Sequence, residues 1–386
     1  MSKENLANAV ALSQSMYAQF LKPGESLKAF VMNDLHLMKT RYGFNAVLLE
    51  TAFESILEHK PQIVIIPGDI NHTKDATYES VKAQFGWFLT RVSALPFIIH
   101  IYIAPGNHDW CIEHTLHSLH HFEDKSKFPK VTVVASSLMI TEKVGLMGYA
   151  RTLERFNENL DSLNMDTIKV LFGHFALNEF ELGTGYEEVD LWCDASIFEK
   201  LSSLVKIYSG HWHKYQVKKM NGIEITYLGS PATVDHGEAN QIKYFGIFDF
   251  DTFEMELIET GLTMHKSYKI DVGDPLPEIP EGEYQMGVET VVCIRGTEEQ
   301  LAGYKTPSGY RGIITTEVIK SDSKRETIDA FSGANGIVNA YMDKKENDIR
   351  ERLKVAYGDK ISESEMVELL DKWRTFGRRI ALDTGA

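Results

Sequence analysis

Five short polar blocks, each closing an apolar run, constrain this chain more than any other feature. They are Asp34-Leu-His36, Gly68-Asp69-Ile-Asn-His72, Gly106-Asn107-His108-Asp109, Gly173-His174 and Gly210-His211-Trp-His213. The runs before them, at 27–32, 63–67, 97–104, 168–172 and 205–209, are short and apolar, which predicts strands. Helical patterns at 46–59 and 78–92 separate the first three. Such alternation is the mark of an α/β core, in which the carboxyl ends of the strands share one ligand-binding rim. On an extended strand alternate side chains share a face, so Asp34 and His36 are expected to aim at one point. His211 and His213 are expected to do the same, with Trp212 turned into the packing. The glycines before Asp69, Asn107, His174 and His211 are expected to let each strand end bend tightly.

The donors in these blocks point to metal. Asp34 and Asp69 supply carboxylates, Asn107 an amide, and His36, His174, His211 and His213 imidazoles. With no thiolate among the seven, the set suits two six-coordinate ions such as Mn²⁺ or Fe²⁺ better than tetrahedral zinc. Two ions about 3.5–4 Å apart need a bridging carboxylate, for which Asp69 is the candidate. Taken singly the blocks are weak, since Asp-x-His on a strand is usually incidental and Gly-His is usually a turn. Gly-Asn-His-Asp says more, because it serves no evident core purpose, and the ordered set of five says most.

These blocks resemble the calcineurin-like metallophosphoesterase superfamily over about residues 28–260. The second block reads Gly-Asp-Ile-Asn-His, where phosphoprotein phosphatases continue toward Gly-Asp-x-Val-Asp-Arg-Gly. That histidine, together with Tyr227-Leu-Gly-Ser-Pro231 and Glu238 downstream, is similar to SbcD-type and phage recombination nucleases of double-strand-break repair. The resemblance implies a two-sheet β-sandwich flanked by helices. It places Asp34, His36, Asp69 and His213 on one ion, and Asp69, Asn107, His174 and His211 on the other. His108 matches the family's acid or phosphate-stabilising histidine, Asp109 is placed to orient its ring, and His72 falls on the substrate side. The implied cofactor is a pair of divalent ions, manganese first, with iron(II) or magnesium as alternatives. The implied activity is exo- and endonucleolytic hydrolysis within an SbcCD-like repair and recombination complex. Its partners would be DNA ends and backbone, an SbcC-like coiled-coil ATPase and a second copy of the chain. The rival readings are a small-molecule phosphodiesterase or phosphatase of the same superfamily, and a scaffold that has lost its ions.

The 386 residues are 43% hydrophobic, enough for a proper core and against global disorder. Forty basic and 55 acidic side chains give a net charge of −15, which excludes a globally basic nucleic-acid binder. Cys111, Cys193 and Cys293 form no CxxC pair and read as small buried hydrophobes in a reducing cytoplasm, which the resemblance implies is that of a bacterial or phage-infected cell. No apolar run approaches the ~20 residues of a membrane span, and the first residues lack a signal-peptide pattern.

The expected organisation is an N-terminal helical extension (1–27), the catalytic α/β domain (28–265), a small α+β capping module (266–324) entered through a proline-rich linker, and a helical tail (325–386). The tail carries Met366, Leu369, Leu370, Trp373 and Phe376 at three-to-four spacing. It resembles the helix-loop-helix by which SbcD-type nucleases grip their ATPase. Lys206, Lys214, Lys218 and Lys219 around the last block are candidates for phosphate contacts. His114, His117, His120 and His121 read as a solvated or packing face rather than a third metal site.

Overall fold

The structure, a computed structural model, describes residues 24–74, 78–111, 116–181 and 191–319, together with Tyr17 and Leu21. The expected helix at 3–21 lies outside these residues except at Tyr17 and Leu21, and so does the tail at 325–386. The chain divides into two compact units, Met1–Val318 and Ile319–Ala386.

In chain order the first unit runs β1 (Lys28–Val31), α1 (Tyr42–His59), β2 (Ile63–Pro67), α2 (Glu79–Ala94), β3 (His100–Ala104), β4 (Val131–Val133), β5 (Ser137–Met139) and β6 (Val144–Met147). It continues through α3 (Leu153–Asp161), β7 (Val170–His174), β8 (Ala176–Leu177), β9 (Trp192–Cys193), β10 (Lys206–Gly210), β11 (Gln216–Met220), β12 (Ile223–Tyr227), β13 (Tyr244–Asp249) and β14 (Met255–Glu259). Last come β15 (His265–Asp271), α4 (Glu281–Met286), β16 (Glu289–Gly296), α5 (Glu298–Ala302) and β17 (Ile313–Val318).

Two six-stranded sheets result, ordered β14-β13-β1-β2-β3-β4 and β11-β12-β10-β7-β6-β5. In the first, β1 through β4 are parallel; in the second, β12, β10, β7 and β6 are. The antiparallel hairpins β13/β14 and β11/β12 lie at one edge of each sheet. Strands β15, β16 and β17 form a separate parallel sheet.

Strand alternation explains the layering. Ala29, Val31, Ile63 and Ile65 point inward to meet Val144, Leu146, Val170 and Phe172 of the facing sheet. Their neighbours Phe30, Val64 and Ile66 point outward, under Leu48, Ala52 and Ile56 of α1 and Phe85 and Phe88 of α2. On the other side Leu171, Ile207 and Ile225 pack under Phe156 and Leu160 of α3. The core is therefore helix, sheet, sheet, helix. At its centre the ring of Phe172 meets Phe248 edge-on, with centroids 5.0 Å apart.

With three separate apolar layers behind them, the carboxyl ends of β1, β2, β3, β7 and β10 are fixed relative to one another. Those ends carry the five polar blocks.

Candidate metal centre

The residues after β1 do not continue as a strand, contrary to the expectation of an extended Asp34-x-His36. Asp34 (φ 53°) and His36 (φ 44°) are both left-handed, as are Asp69 (φ 52°) and His211 (φ 98°). This conformation is rare for residues with a Cβ and costs roughly 1–3 kcal/mol each. It persists here because the segment is pinned: the N–H groups of Asp34, His36 and Leu37 donate to the carbonyls of Gly68, Asp69 and Ile70. His211 likewise sits in a left-handed turn, and contrary to expectation it and His213 do not aim at one point. They face different neighbours, while Trp212 between them is buried in the core as expected.

Glycine serves close approach more than bending. At Gly68 (φ +105°) a Cβ would overlap the His174 ring, and at Gly106, whose backbone is extended, it would overlap the Asp69 carboxylate.

The seven expected donors come together in two sets. In one, His36 Nε2 lies 2.9 Å from His213 Nε2, and Asp34 joins them within 4.8 Å. In the other, Asn107 Oδ1 sits 2.9 Å from His174 Nε2 and 3.0 Å from His211 Nδ1. Asp69 Oδ2 lies between the sets, 3.3 Å from His174 Nε2 and 3.7 Å from His36 Nε2. Its other oxygen accepts the backbone N–H of His108 at 2.9 Å, which aims Oδ2 at the centre. Asp69 Oδ2 is fully buried and makes no hydrogen bond among the described residues, as are Asn107 Nδ2 and His211 Nε2. An orphaned buried carboxylate oxygen among imidazole nitrogens is a donor set that lacks its cation. The residues therefore fit two divalent ions with Asp69 between them.

Electrostatics agree. Burial, then the neighbouring imidazoles, hold His36 and His211 well below the usual histidine range, so both are neutral and able to ligate. Burial also lowers His174, but Asp69 and Asp34 outweigh it and raise its pKa to about 9. Burial would raise Asp69, yet the charges of His174 and His108 keep it well below the carboxylate range. A proton on His174 thus neutralises buried carboxylate charge where a cation would otherwise do so.

The remaining candidates depart from expectation in one respect. Asp109 does not orient the His108 ring. Its fully buried carboxylate accepts the N–H groups of Gly106 (3.0 Å), Ile70 (3.2 Å) and Asn71 (3.0 Å), and the Asn71 amide (2.9 Å). Burial, then Asp69, raises its pKa to about 6. The His108 ring is set instead by Nδ1–H donating to the His72 carbonyl at 2.5 Å, and it lies edge-on to His36 with centroids 4.9 Å apart. His72 sits beside both, 5.4 Å from the His36 ring, and burial followed by His108 lowers its pKa to about 4.

Glu238, to which sequence reasoning assigns no role, accepts from His213 Nδ1 at 2.7 Å. The lysines are less available than their number suggests: Lys206 is paired with Glu224 and Glu254, Lys214 with Glu181, and Lys218 lies over the Phe180 ring. Of the three cysteines only Cys193 is buried; Cys111 and Cys293 are half-buried. His117 packs edge-on against Trp110 and pairs with Glu123 at 3.3 Å; His114 lies outside the described residues. His236, His265 and Glu289 also cluster, but Arg41 Nη2 occupies the His265 Nε2 lone pair at 3.1 Å, which opposes a cation there.

The rim of this four-layer core thus gathers a donor set suited to two divalent cations. Residues 27–215, which contain all five blocks, match the calcineurin-like phosphoesterase family. Exonuclease subunit 1 of Enterobacteria phage T4 is 25% identical over 170 residues, 44% of this chain and 48% of the phage protein. The chain thus matches about half the length of that curated relative. Similar solved structures include a novel archaeal phosphodiesterase (13% identity, 60% of this chain and 99% of that one, TM-score 0.34). Another is a dimetal phosphatase from Danio rerio (12%, 61% and 97%, TM-score 0.37).

Proposed function

We propose that this chain is a two-metal, manganese-using phosphodiesterase that cleaves DNA, the nuclease subunit of an SbcCD-like repair and recombination complex in the cytoplasm. The observation that carries the hydrolase reading is the buried Asp69 carboxylate, with one oxygen held by the His108 backbone and the other between two sets of donors. The similarity to a phage exonuclease subunit and the Gly-Asp-Ile-Asn-His block favour nucleic acid over a small substrate.

Two divalent ions bound there would supply positive charge to offset the phosphodiester and would lower the pKa of a bound water toward ~7. The chain's own residues do the rest. Asp34, His36, Asp69 and His213 would hold one ion, and Asp69, Asn107, His174 and His211 the other. His108, with Nδ1 tied to the His72 carbonyl, presents its remaining ring nitrogen beside His36 and carries the proton for the leaving oxygen. His72 lines the substrate side. Asp109 acts on the frame, holding the loop after β2 against the loop after β3.

A protein of net charge −15 holds duplex DNA poorly by itself, because non-specific affinity rests on neutralising phosphates with Lys and Arg. The apolar stripe of residues 366–376 is accordingly assigned to a coiled-coil ATPase partner. The deciding assay is Mn²⁺-dependent cleavage of end-labelled duplex DNA, run beside a chromogenic phosphodiester with and without that ATPase. Cleavage of both, with the DNA reaction enhanced by the ATPase and the enhancement lost on deleting 325–386, supports the proposal. Hydrolysis of the chromogenic ester alone favours a small-molecule phosphodiesterase.

A further inference from the structure

The Gly-Ser-Pro segment after β12 and the buried pair Glu238–Lys243 belong to one network, and that network closes on a single histidine. Glu238 Oε1 accepts from His213 Nδ1 at 2.7 Å, which fixes the ring proton there and leaves Nε2 to face His36. The other oxygen, Oε2, accepts from Lys243 Nζ at 2.5 Å, Ser230 Oγ at 3.0 Å and the backbone N–H of Val234 at 3.2 Å. Lys243 also donates directly to the His213 carbonyl at 2.9 Å, which the Ser230 N–H reaches at 3.1 Å. Gly229 permits this approach: it is left-handed (φ +80°), and a Cβ there would stand 2.5 Å from the same carbonyl. The side chains of Lys243 and Glu238 are 2% and 5% exposed, so neither exchanges its partner for water.

A buried lysine is costly to desolvate, and a fully apolar pair would pack here without that cost. What the ionic pair adds is direction: it holds both the ring and the backbone of His213. In the second donor set the outer support is backbone alone: His174 Nδ1 donates to the Pro67 carbonyl at 3.2 Å, and His211 Nε2 makes no hydrogen bond among the described residues.

We propose that Glu238 and Lys243 are positioning residues that set the affinity of the ion held by Asp34, His36 and His213, leaving the other ion nearly untouched. This rests on the two-metal reading above. The test is calorimetric titration of Mn²⁺ into metal-stripped full-length protein, with circular dichroism to verify folding. Wild type should bind two ions. Glu238→Gln should weaken one of them about 10–100-fold and leave the other within about twofold, the usual cost of losing a carboxylate behind a ligating histidine. Lys243→Met should weaken the same ion, and Lys243→Arg should restore part of the loss. If a single variant unfolds, the neutral pair Glu238→Gln/Lys243→Met, which leaves no unpaired charge, is measured instead. Variants that bind both ions like wild type overturn the proposal, as does a pair that cannot fold, since the network would then serve the fold alone. A wild type that binds no pair of ions contradicts the two-metal reading instead.

Discussion

At the scale of single residues, the division of labour around Asp69 is the most consequential feature. His108 touches that carboxylate through its backbone N–H, while its ring is held by the His72 carbonyl. The proposed mechanism accordingly gives the main chain to the metal set and the side chain to the substrate, although a nitrogen of the ring also lies within 4.8 Å of Asp69 and His36. Replacing His108 by Gln should keep both ions bound and lower turnover by about 10²–10⁴-fold, the usual worth of a positioned acid. Metal analysis beside a kinetic assay checks this, and loss of about half the bound ion would make His108 a ligand. The seven donors were legible in the sequence because each follows an apolar run, where a polar residue has no packing purpose. The left-handed turns at Asp34, His36 and His211 were not, since positive φ at a non-glycine residue is imposed by a neighbouring segment. Asp109 was misjudged for a related reason: three of its four partners are backbone N–H groups of residues 70, 71 and 106, which leave no mark on side-chain identity.

At the scale of elements, the loops after β2 and β3 act as one piece joined by Asp109. An Asp109→Ala change takes the acceptor from three buried backbone N–H groups, each worth about 1–3 kcal/mol, and leaves the Asn71 amide with Ser118 Oγ alone. It should unfold the ion-free protein at markedly lower urea, with Asp109→Asn intermediate; an unchanged midpoint would show that the loops are held otherwise. Gly106→Ala is expected to displace Asp69 and weaken both ions together, which the same titration reads. Among the elements, the fully buried β2, Ile63–Pro67, announces itself as a continuous apolar run of a central parallel strand. The edge strands β11, QVKKM, and β14, MELIE, and the polar helix α3 do not, because so little of each is buried.

At the scale of the molecule, the ion-free protein should be sensitive to acid. Burial holds His72, His100 and His265 at about 4, below the ordinary 6.5, and holds His36 and His211 well below it as well. Between pH 6.5 and 4 the unfolded chain therefore binds protons that the folded one refuses, so stability present above pH 6.5 is lost as pH falls. Asp34 and Asp109, raised by burial, oppose this, two groups against six once His117, also lowered by burial, is counted. His174, raised to about 9, works at the other end: its contribution is complete below pH 6.5 and is lost as pH rises through 9. Thermal melts of chelator-treated protein should show a midpoint that is highest near neutrality and falls toward pH 5. A flat profile would contradict these assignments. Among the described residues no helix is long and apolar enough to cross a membrane.

The claim on which the rest depends is that five strand ends build one centre for two cations with Asp69 between them. Bound manganese per chain, counted by elemental analysis after equilibrium dialysis, tests it most directly when wild type is set beside Asp69→Asn, His36→Ala and His174→Ala. Two ions are expected in wild type, one tightly held ion in each histidine variant, and neither ion retained at micromolar manganese once Asp69 loses its charge. An Asp69→Asn protein that still binds two ions with near-native affinity would contradict the account.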